Sequence, residues 1–399
     1  MSTAYIVDVV RTPVAKFAGA LRLVRPDDLA AHVIRQLLLR TPQLDPTLLE
    51  DVILGAANQA GEDNRNVARM ALLLAGLPQE VAGVTVNRLC ASGLQSIIDA
   101  SRAIACGEGE AMVAGGVESM TRAPFVMAKA ETSFSRTAEV FDTTMGWRFV
   151  NAKLSSLHYP YSMGETAENV AARYNVSRET QDAFAHQSQL KYRQAADAGK
   201  FNEEIVPVEV PQPKGAAVVF DTDEHPRLTS VEKLASLAPV FQQGGTVTAG
   251  NASGINDGAA AALVVGEKLV KQLNLQPLAR IVAAAVAGVD PACMGMGPVP
   301  ATQKALKRAG LTINDIDLFE INEAFAAQAV ACMEQLNIDP EKVNVNGGAI
   351  AIGHPLGASG TRITATLLHE LQRRPSTRYG LATMCVGVGQ GVAVIYEKV

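Results

Sequence analysis

The feature that most restricts this chain is a loose internal repeat. Ala91-Ser92-Gly93 recurs as Ala358-Ser359-Gly360, 267 residues later. Leu48-Leu49-Glu50-Asp51-Val52-Ile53-Leu54-Gly55 resembles Ile313-Asn314-Asp315-Ile316-Asp317-Leu318-Phe319-Glu320, 265 residues later. Each match uses common residues. Together, at nearly one separation, they describe two related halves, and self-similarity of this kind bears on architecture before any single residue does.

Within each half, strand-like and helix-like segments alternate. Residues 84–87 form a short β-branched run, after which Leu94, Ile97, Ile98, Ile104 and Ala105 recur at helical spacing. Residues 111–116 are a compact apolar run of the kind that buried strands show. In the second half, 343–346 leads into Gly347-Gly348, and Ile363, Leu367 and Leu368 mark a helix. Residues 381–386 and 392–396 read as strands around a glycine-rich turn. The alternation predicts an α/β fold. The middle, from about 124 to 250, is irregular: it holds Trp147, the only tryptophan, and no cysteine. One amphipathic helix is expected there, over 177–198 with Ser177 as its cap, before Pro207, Pro211 and Pro213 interrupt the chain. The expected organisation is a first half of 1–123 plus 255–277, an inserted loop domain of 124–254, and a second half of 278–399.

A length of 399 residues suits two or three domains, and 48% hydrophobic residues with 19% charged supply a large core. Lys plus Arg is 35 against Asp plus Glu 40, so a basic nucleic-acid footprint is not expected. No apolar run reaches the roughly 18 residues of a membrane span. The run from Ile281 stops at Asp290, and the strand-like start is broken by Asp8 and closed by Arg11-Thr12-Pro13, unlike a signal peptide. Five scattered cysteines without a Cys-x-x-Cys pair predict neither a disulfide framework nor a zinc site, and favour a reduced, cytoplasmic setting with no metal.

Four positions carry candidate chemistry. Cys90 stands between a strand and the helix that follows, where unpaired N–H groups and the helix dipole are expected to draw its pKa down toward about 7 or lower; the alternative is an inert, packed thiol. His354 lies in Gly353-His354-Pro355-Leu356-Gly357, a stiff turn that suits a base or a hydrogen-bond donor, with a surface-loop histidine as the alternative. Cys385 heads Cys385-Val386-Gly387-Val388-Gly389-Gln390-Gly391, whose glycines can turn backbone N–H groups toward an oxyanion. Asn322-Glu323 follows an apolar strand, a usual place for functional groups, although Asn322 could simply cap a helix. The polar stretch from Gly250 to Gly258 could cradle a phosphate or an amide chain, and no P-loop signature is present.

Taken together these motifs resemble the thiolase family over essentially the whole chain. The resemblance runs through Val86-Asn87-Arg88-Leu89-Cys90-Ala91-Ser92-Gly93, Gly115-Gly116-Val117-Glu118-Ser119-Met120, Thr248-Ala249-Gly250-Asn251-Ala252-Ser253-Gly254, Asn322-Glu323-Ala324-Phe325, Asn346-Gly347-Gly348-Ala349 up to His354-Pro355, and the stretch from Cys385 to Gly391. It implies two α/β halves in an α-β-α-β-α layering with an inserted loop domain, and acyl transfer between CoA and a 3-ketoacyl-CoA. It also implies an acylated Cys90, activated by His354. Cys385 becomes the acid/base at the α-carbon. Asn322 holds a water that with His354 forms one oxyanion hole, and the N–H groups of Cys90 and Gly387 form another. Ser253, Met163 and Arg227 become contacts for CoA, which is a co-substrate; no bound cofactor is implied. A homodimer or homotetramer handling CoA thioesters, as in fatty acid metabolism, is the expected assembly and role.

The loop Ser162-Met163-Gly164 lacks the histidine that short-chain biosynthetic members often carry before Met-Gly. The run from Asp142 to Phe149 looks more like the 3-oxoadipyl-CoA branch, where Arg148 would face a substrate carboxylate, pair with a local acid or sit at a subunit contact. Two rivals share the scaffold: a decarboxylating ketoacyl synthase, whose Cys-His-His set has a histidine where this chain has Cys385, and a non-catalytic acyl-CoA-binding protein.

Overall fold

The computed structural model describes residues 2–399. Its sheet contains β1 (Ala4–Arg11), β2 (Asp51–Gly55), β3 (Ala82–Val86), β4 (Ala111–Ser119), β5 (Asn256–Gly266), β6 (Ala279–Gly288), β7 (Leu318–Ile321), β8 (Tyr379–Val386) and β9 (Gln390–Lys398). The strand order is β7-β8-β9-β6-β1-β5-β4-β2-β3, with the two-residue strand Ala15–Lys16 paired to β5 off this path. The helices around it are α1 (Pro26–Leu39), α2 (Ser92–Cys106), α3 (Met163–Arg173), α4 (Arg178–Asp197), α5 (Pro298–Ala309), α6 (Ala326–Leu336) and α7 (Leu356–Arg373).

The repeat is visible in the pairing. In the first half β2 runs parallel to β3 and β4, β4 is antiparallel to β5, and β5 to β1. In the second half β7 is parallel to β8, β8 antiparallel to β9, and β9 to β6. A single parallel bridge between Phe319 and Val343 stands where β3 stands in the first half. The halves join edge to edge, antiparallel, where Tyr5 and Ile6 meet Arg280 and Ala279.

Helices cover and separate the two halves of this sheet. On one outer face Leu29, Ile34 and Leu37 of α1 pack with Val113 and Leu263. On the other, Ala301, Ala305 and Leu306 of α5 pack with Phe319, Leu381 and Ile395. Between them, Leu94 and Ile97 of α2 share a core with Ile363 and Leu367 of α7 and Met384 of β8. The result is five layers, α-β-α-β-α, as many as bury both faces of both half-sheets.

The middle layer explains why Ala-Ser-Gly recurs. A Cβ on Gly93 would lie 2.6 Å from the Gly357 carbonyl oxygen, and one on Gly360 would lie 2.1 Å from the Leu94 nitrogen. The repeated glycines are where α2 and α7 touch, and a side chain at either would drive the helices apart. The apolar positions 363, 367 and 368 describe only part of α7. From Gly357 to Leu371 this helix is buried on every side, including Thr361, Arg362, Thr364, His369 and Glu370. Its polar residues face protein, not water, as expected of a helix held between two layers.

The inserted segment contributes α3, α4 and two short hairpins, Phe125–Met127 with Val140–Asp142 and Val208–Val210 with Val218–Phe220. Ser177 caps α4 by accepting the Thr180 N–H, and Ser162 with Glu165 closes a capping box on α3. The segment is tied back to β1 by Arg11, buried between Glu204 and Asp223 at 2.6 and 2.7 Å. Among the described residues no helix is long and apolar enough to cross a membrane.

Candidate active site

Cys90 occupies a 3-10 turn, Leu89–Ala91, between β3 and α2. Leu89 has φ +45°, a left-handed conformation that glycine, lacking a Cβ, tolerates better and that must here be held by its surroundings. Side chains hold it: Asn87 Oδ1 accepts the Leu89 N–H at 2.9 Å, while Ser92 Oγ accepts from Arg88 N at 2.9 Å and donates to the Leu89 carbonyl at 2.7 Å. Cys90 is thereby presented half-buried rather than locked away. Its thiol nevertheless sits in apolar surroundings. Burial pushes its pKa up to about 11, against the lowering drawn by the N–H groups of Gly387 and of Cys90 itself. The expected low-pKa thiolate is therefore corrected: both backbone donors are present, but desolvation outweighs them.

His354 is buried, not on a surface loop. Gly353, at φ +112°, and Pro355, which precedes α7, set its turn, and the His354 N–H donates to Asn256 Oδ1 at 2.9 Å. A Cβ on Gly353 would collide with the Asn256 amide, so glycine is needed both for its φ and for this close approach. Ser359 Oγ lies 2.6 Å from His354 Nδ1 and donates its own proton to the Pro355 carbonyl at 2.8 Å. Its oxygen therefore accepts from Nδ1–H, which leaves Nε2 as the unprotonated, basic nitrogen. Burial, and then the Arg362 cation, hold the imidazole pKa down at about 3, so the ring is neutral.

Asn322 follows β7 and is buried, with its N–H on the Thr383 carbonyl at 3.0 Å. Its Nδ2 lies 3.3 Å from His354 Nε2, and its Oδ1 has no protein partner. The helix-cap alternative does not hold: α6 begins after Phe325, and Asn322 is spent on the imidazole. Cys385, near the end of β8, is buried, and its thiol pKa is raised by burial and then by the neighbouring Cys90. Its surroundings are Phe325, Ala252, Met294 and the half-buried Met163. Gly387 turns its N–H to the Cys90 thiol; a Cβ there would lie 3.1 Å from Leu89 and 3.5 Å from Met163 Sδ. The glycine-rich turn thus serves Cys90 rather than Cys385.

Met163 accordingly borders the cluster. Ser253 is brought beside it: its N–H donates to the Ala324 carbonyl at 3.0 Å, and Ala252 bridges to Phe325. Arg227 is more remote and exposed, its guanidinium bound to the Ala249 carbonyl.

Three neighbours escaped the sequence reading. Ser359 and Asn256 hold His354, and Glu118 accepts N–H groups from Ala57, Asn58 and Gly357 at 2.9, 3.1 and 2.8 Å. Burial raises the Glu118 pKa to about 7. The serine was discoverable, because it belongs to the repeated Ala-Ser-Gly. Glu118 was not, since its three partners come from segments far apart in the chain.

Two thiols, a neutral imidazole with an unprotonated Nε2 and N–H donors aimed at one thiol form a cluster chemically suited to cysteine-dependent acyl transfer. Comparison with known proteins makes the class specific. Residues 4–268 match the thiolase N-terminal domain and residues 275–398 the thiolase C-terminal domain, so the chain belongs to the thiolase family. It is 56% identical to the 3-oxoadipyl-CoA/3-oxo-5,6-dehydrosuberyl-CoA thiolase of Escherichia coli K12, over 100% of both chains. It is also 56% identical to the beta-ketoadipyl-CoA thiolase of Pseudomonas aeruginosa, over 99% of both. Its fold matches the acetyl-CoA acetyltransferase of Bacillus anthracis with TM-score 0.94 and 42% identity, covering 100% of this chain and 99% of that one. The protein is an acyltransferase that moves an acyl group between CoA and a 3-ketoacyl-CoA.

Proposed function

We propose that this thiolase cleaves a six-carbon dicarboxylic substrate, 3-oxoadipyl-CoA, to succinyl-CoA and acetyl-CoA, and that it does so at the cluster of Cys90, His354, Asn322 and Cys385. The observation that carries the assignment of roles is the hydrogen-bond chain Pro355–Ser359–His354, which leaves Nε2 basic at the cluster. The substrate rests on full-length relatives bearing that name.

Cys90 transfers its proton to His354 Nε2 as its sulfur attacks the C3 carbonyl, and a thiol paired with a neutral imidazole avoids holding an ion pair in an apolar site. The oxyanion is met by the N–H groups of Cys90 and Gly387. The C2–C3 bond breaks, leaving succinyl on Cys90 and a carbanion on the departing acetyl-CoA. Cys385 protonates that carbanion, while the thioester oxygen is held by protonated His354 and a water that Asn322 Oδ1 would hold. Cys385, now a thiolate, takes the proton from incoming CoA, whose sulfur attacks the succinyl thioester; Cys90 leaves and takes back the proton held on His354 Nε2. Ser253 and Met163 border the pantetheine and Arg227 its far end, so CoA enters as co-substrate and no resident cofactor takes part. The chain is further proposed to act as a homodimer or homotetramer, with the open edge of β3, where Val84 is 40% exposed, and the apolar Phe125, Phe134 and Leu157 as contacts.

The test is thiolysis of 3-oxoadipyl-CoA, acetoacetyl-CoA and longer 3-ketoacyl-CoAs by the purified protein. The highest kcat/KM is expected for 3-oxoadipyl-CoA; a higher value for a monocarboxylic substrate overturns the substrate reading.

A further inference from the structure

A substrate with a free carboxylate needs a cation near the acyl end of the site, because a buried, unpaired carboxylate is costly. Resting on the dicarboxylic reading above, we infer that Arg148 reads this carboxylate and sets the preference for a dicarboxylic over a neutral acyl chain.

The geometry comes from the segment that carries Arg148. Thr143 accepts Asn58 Nδ2 on both its carbonyl and its hydroxyl, each at 3.2 Å. Trp147 Nε1 donates to the Tyr161 carbonyl at 3.0 Å. Asn58 is next to Ala57 and, through its own N–H, bound to Glu118, which also holds the Gly357 amide beyond His354. Tyr161 lies two residues before Met163, which borders Gly387. Ala57, beside Asn58, accepts Asn87 Nδ2 at 2.9 Å, and Asn87 holds the Leu89 N–H next to Cys90, so the residue that Arg148 binds is one step from the turn bearing the thiol.

Arg148 has the character of a waiting cation. It is half-buried, and its Nη2 donates to Asn58 Oδ1 at 2.9 Å. Among the described residues no carboxylate forms an ion pair with it, which removes the local-acid alternative. A guanidinium presents five N–H donors in a fork suited to bidentate binding of a carboxylate, and one bond to a neutral amide leaves most of that capacity free. Arg88 also stands near Cys90 without an acidic partner, but its guanidinium is committed to Gln95 Oε1 at 2.7 Å and Gln390 Oε1 at 2.8 Å. A succinyl group on Cys90 carries its carboxylate only a few bonds beyond the sulfur, so the reading cation has to lie near the thiol, and Arg148 is linked to that turn through Asn58, Ala57 and Asn87.

The experiment compares kcat/KM for 3-oxoadipyl-CoA with that for 3-oxohexanoyl-CoA, which has the same chain length and a methyl in place of the carboxylate. It uses full-length wild type, Arg148→Met and Arg148→Lys. In Arg148→Met the ratio of the two values is expected to fall roughly 10- to 100-fold, the worth of a charge-assisted pair. Arg148→Lys, which keeps the charge but not the fork, is expected to retain an intermediate ratio. If Arg148→Met loses activity equally on both substrates, or on neither, the ratio stays put and Arg148 only braces Asn58; either result overturns the inference and leaves the substrate reading standing. A wild type with no preference for 3-oxoadipyl-CoA overturns both.

Discussion

The two halves share one strand order, yet equivalent places in them do different work. Ser92 and Ser359 hold the same place in the repeated Ala-Ser-Gly, and each braces the turn before its helix: Ser92 the turn that bears Cys90, Ser359 the ring of His354. Glu118 and Cys385 are separated by the same 267 residues, on β4 and β8. In the first half this place holds a carboxylate that gathers three backbone amides; in the second it holds a thiol beside Cys90. The duplicated scaffold supplies two braced turns facing each other across the glycine contact of α2 and α7. In the proposed mechanism divergence gives one turn a nucleophile and the other a base, and makes one strand end structural and the other chemical.

The comparison can be broken by mutation. The largest expected effect is Cys90→Ala, which removes the proposed nucleophile: turnover is lost by more than about 10³-fold, and no acyl adduct is seen by intact-protein mass spectrometry. Next, Cys385→Ala and Glu118→Ala are expected to separate rate from stability. The thiol variant loses about 10²- to 10⁴-fold in kcat, the usual worth of an acid/base group, yet still acylates Cys90 and unfolds at an unchanged denaturant midpoint. The carboxylate variant strands three N–H groups, those of Ala57 and Gly357 buried, and loses at least about 1–3 kcal/mol in urea unfolding. If the two variants behave alike, the division of labour between β4 and β8 is wrong.

Smaller effects sharpen the picture. Gly360→Ala places a Cβ against Leu94 and is expected to cost about 1–3 kcal/mol by overpacking, read from the same unfolding curves. A pH profile tests the protonation states. Because the Cys90 thiol is pushed up to about 11 and the imidazole down to about 3, the resting pair is neutral between those values. Thiolate therefore accumulates only as pH rises, and iodoacetamide labelling of Cys90 is expected to climb steadily from pH 6 to 9. A plateau across that range would mean a resting thiolate–imidazolium pair.

Much of this site was legible in the sequence because its residues sit where strands end and glycines gather. Cys90, His354, Asn322 and Cys385 all stood out on that ground. The Cys90 pKa did not follow, because the turn reveals the local donors while the desolvating core it packs against, which includes Met384 and Val386, arrives from distant segments. The apolar positions 363, 367 and 368 disclosed only part of α7 for a related reason: a helix between two layers buries both faces, so Thr361, Arg362 and Glu370 are covered although apolar spacing does not mark them.

The central claim is that the halves form one acyl-transfer site in which Cys90 carries the acyl group and Cys385 moves the proton. Its most direct test is to mix Cys385→Ala with 3-oxoadipyl-CoA, quench, and map the adduct by peptide mass spectrometry. The account predicts a succinyl group on Cys90 that persists longer than in wild type and is discharged slowly by CoA. An acyl group on another residue, or rapid turnover with no adduct on Cys90, would contradict it.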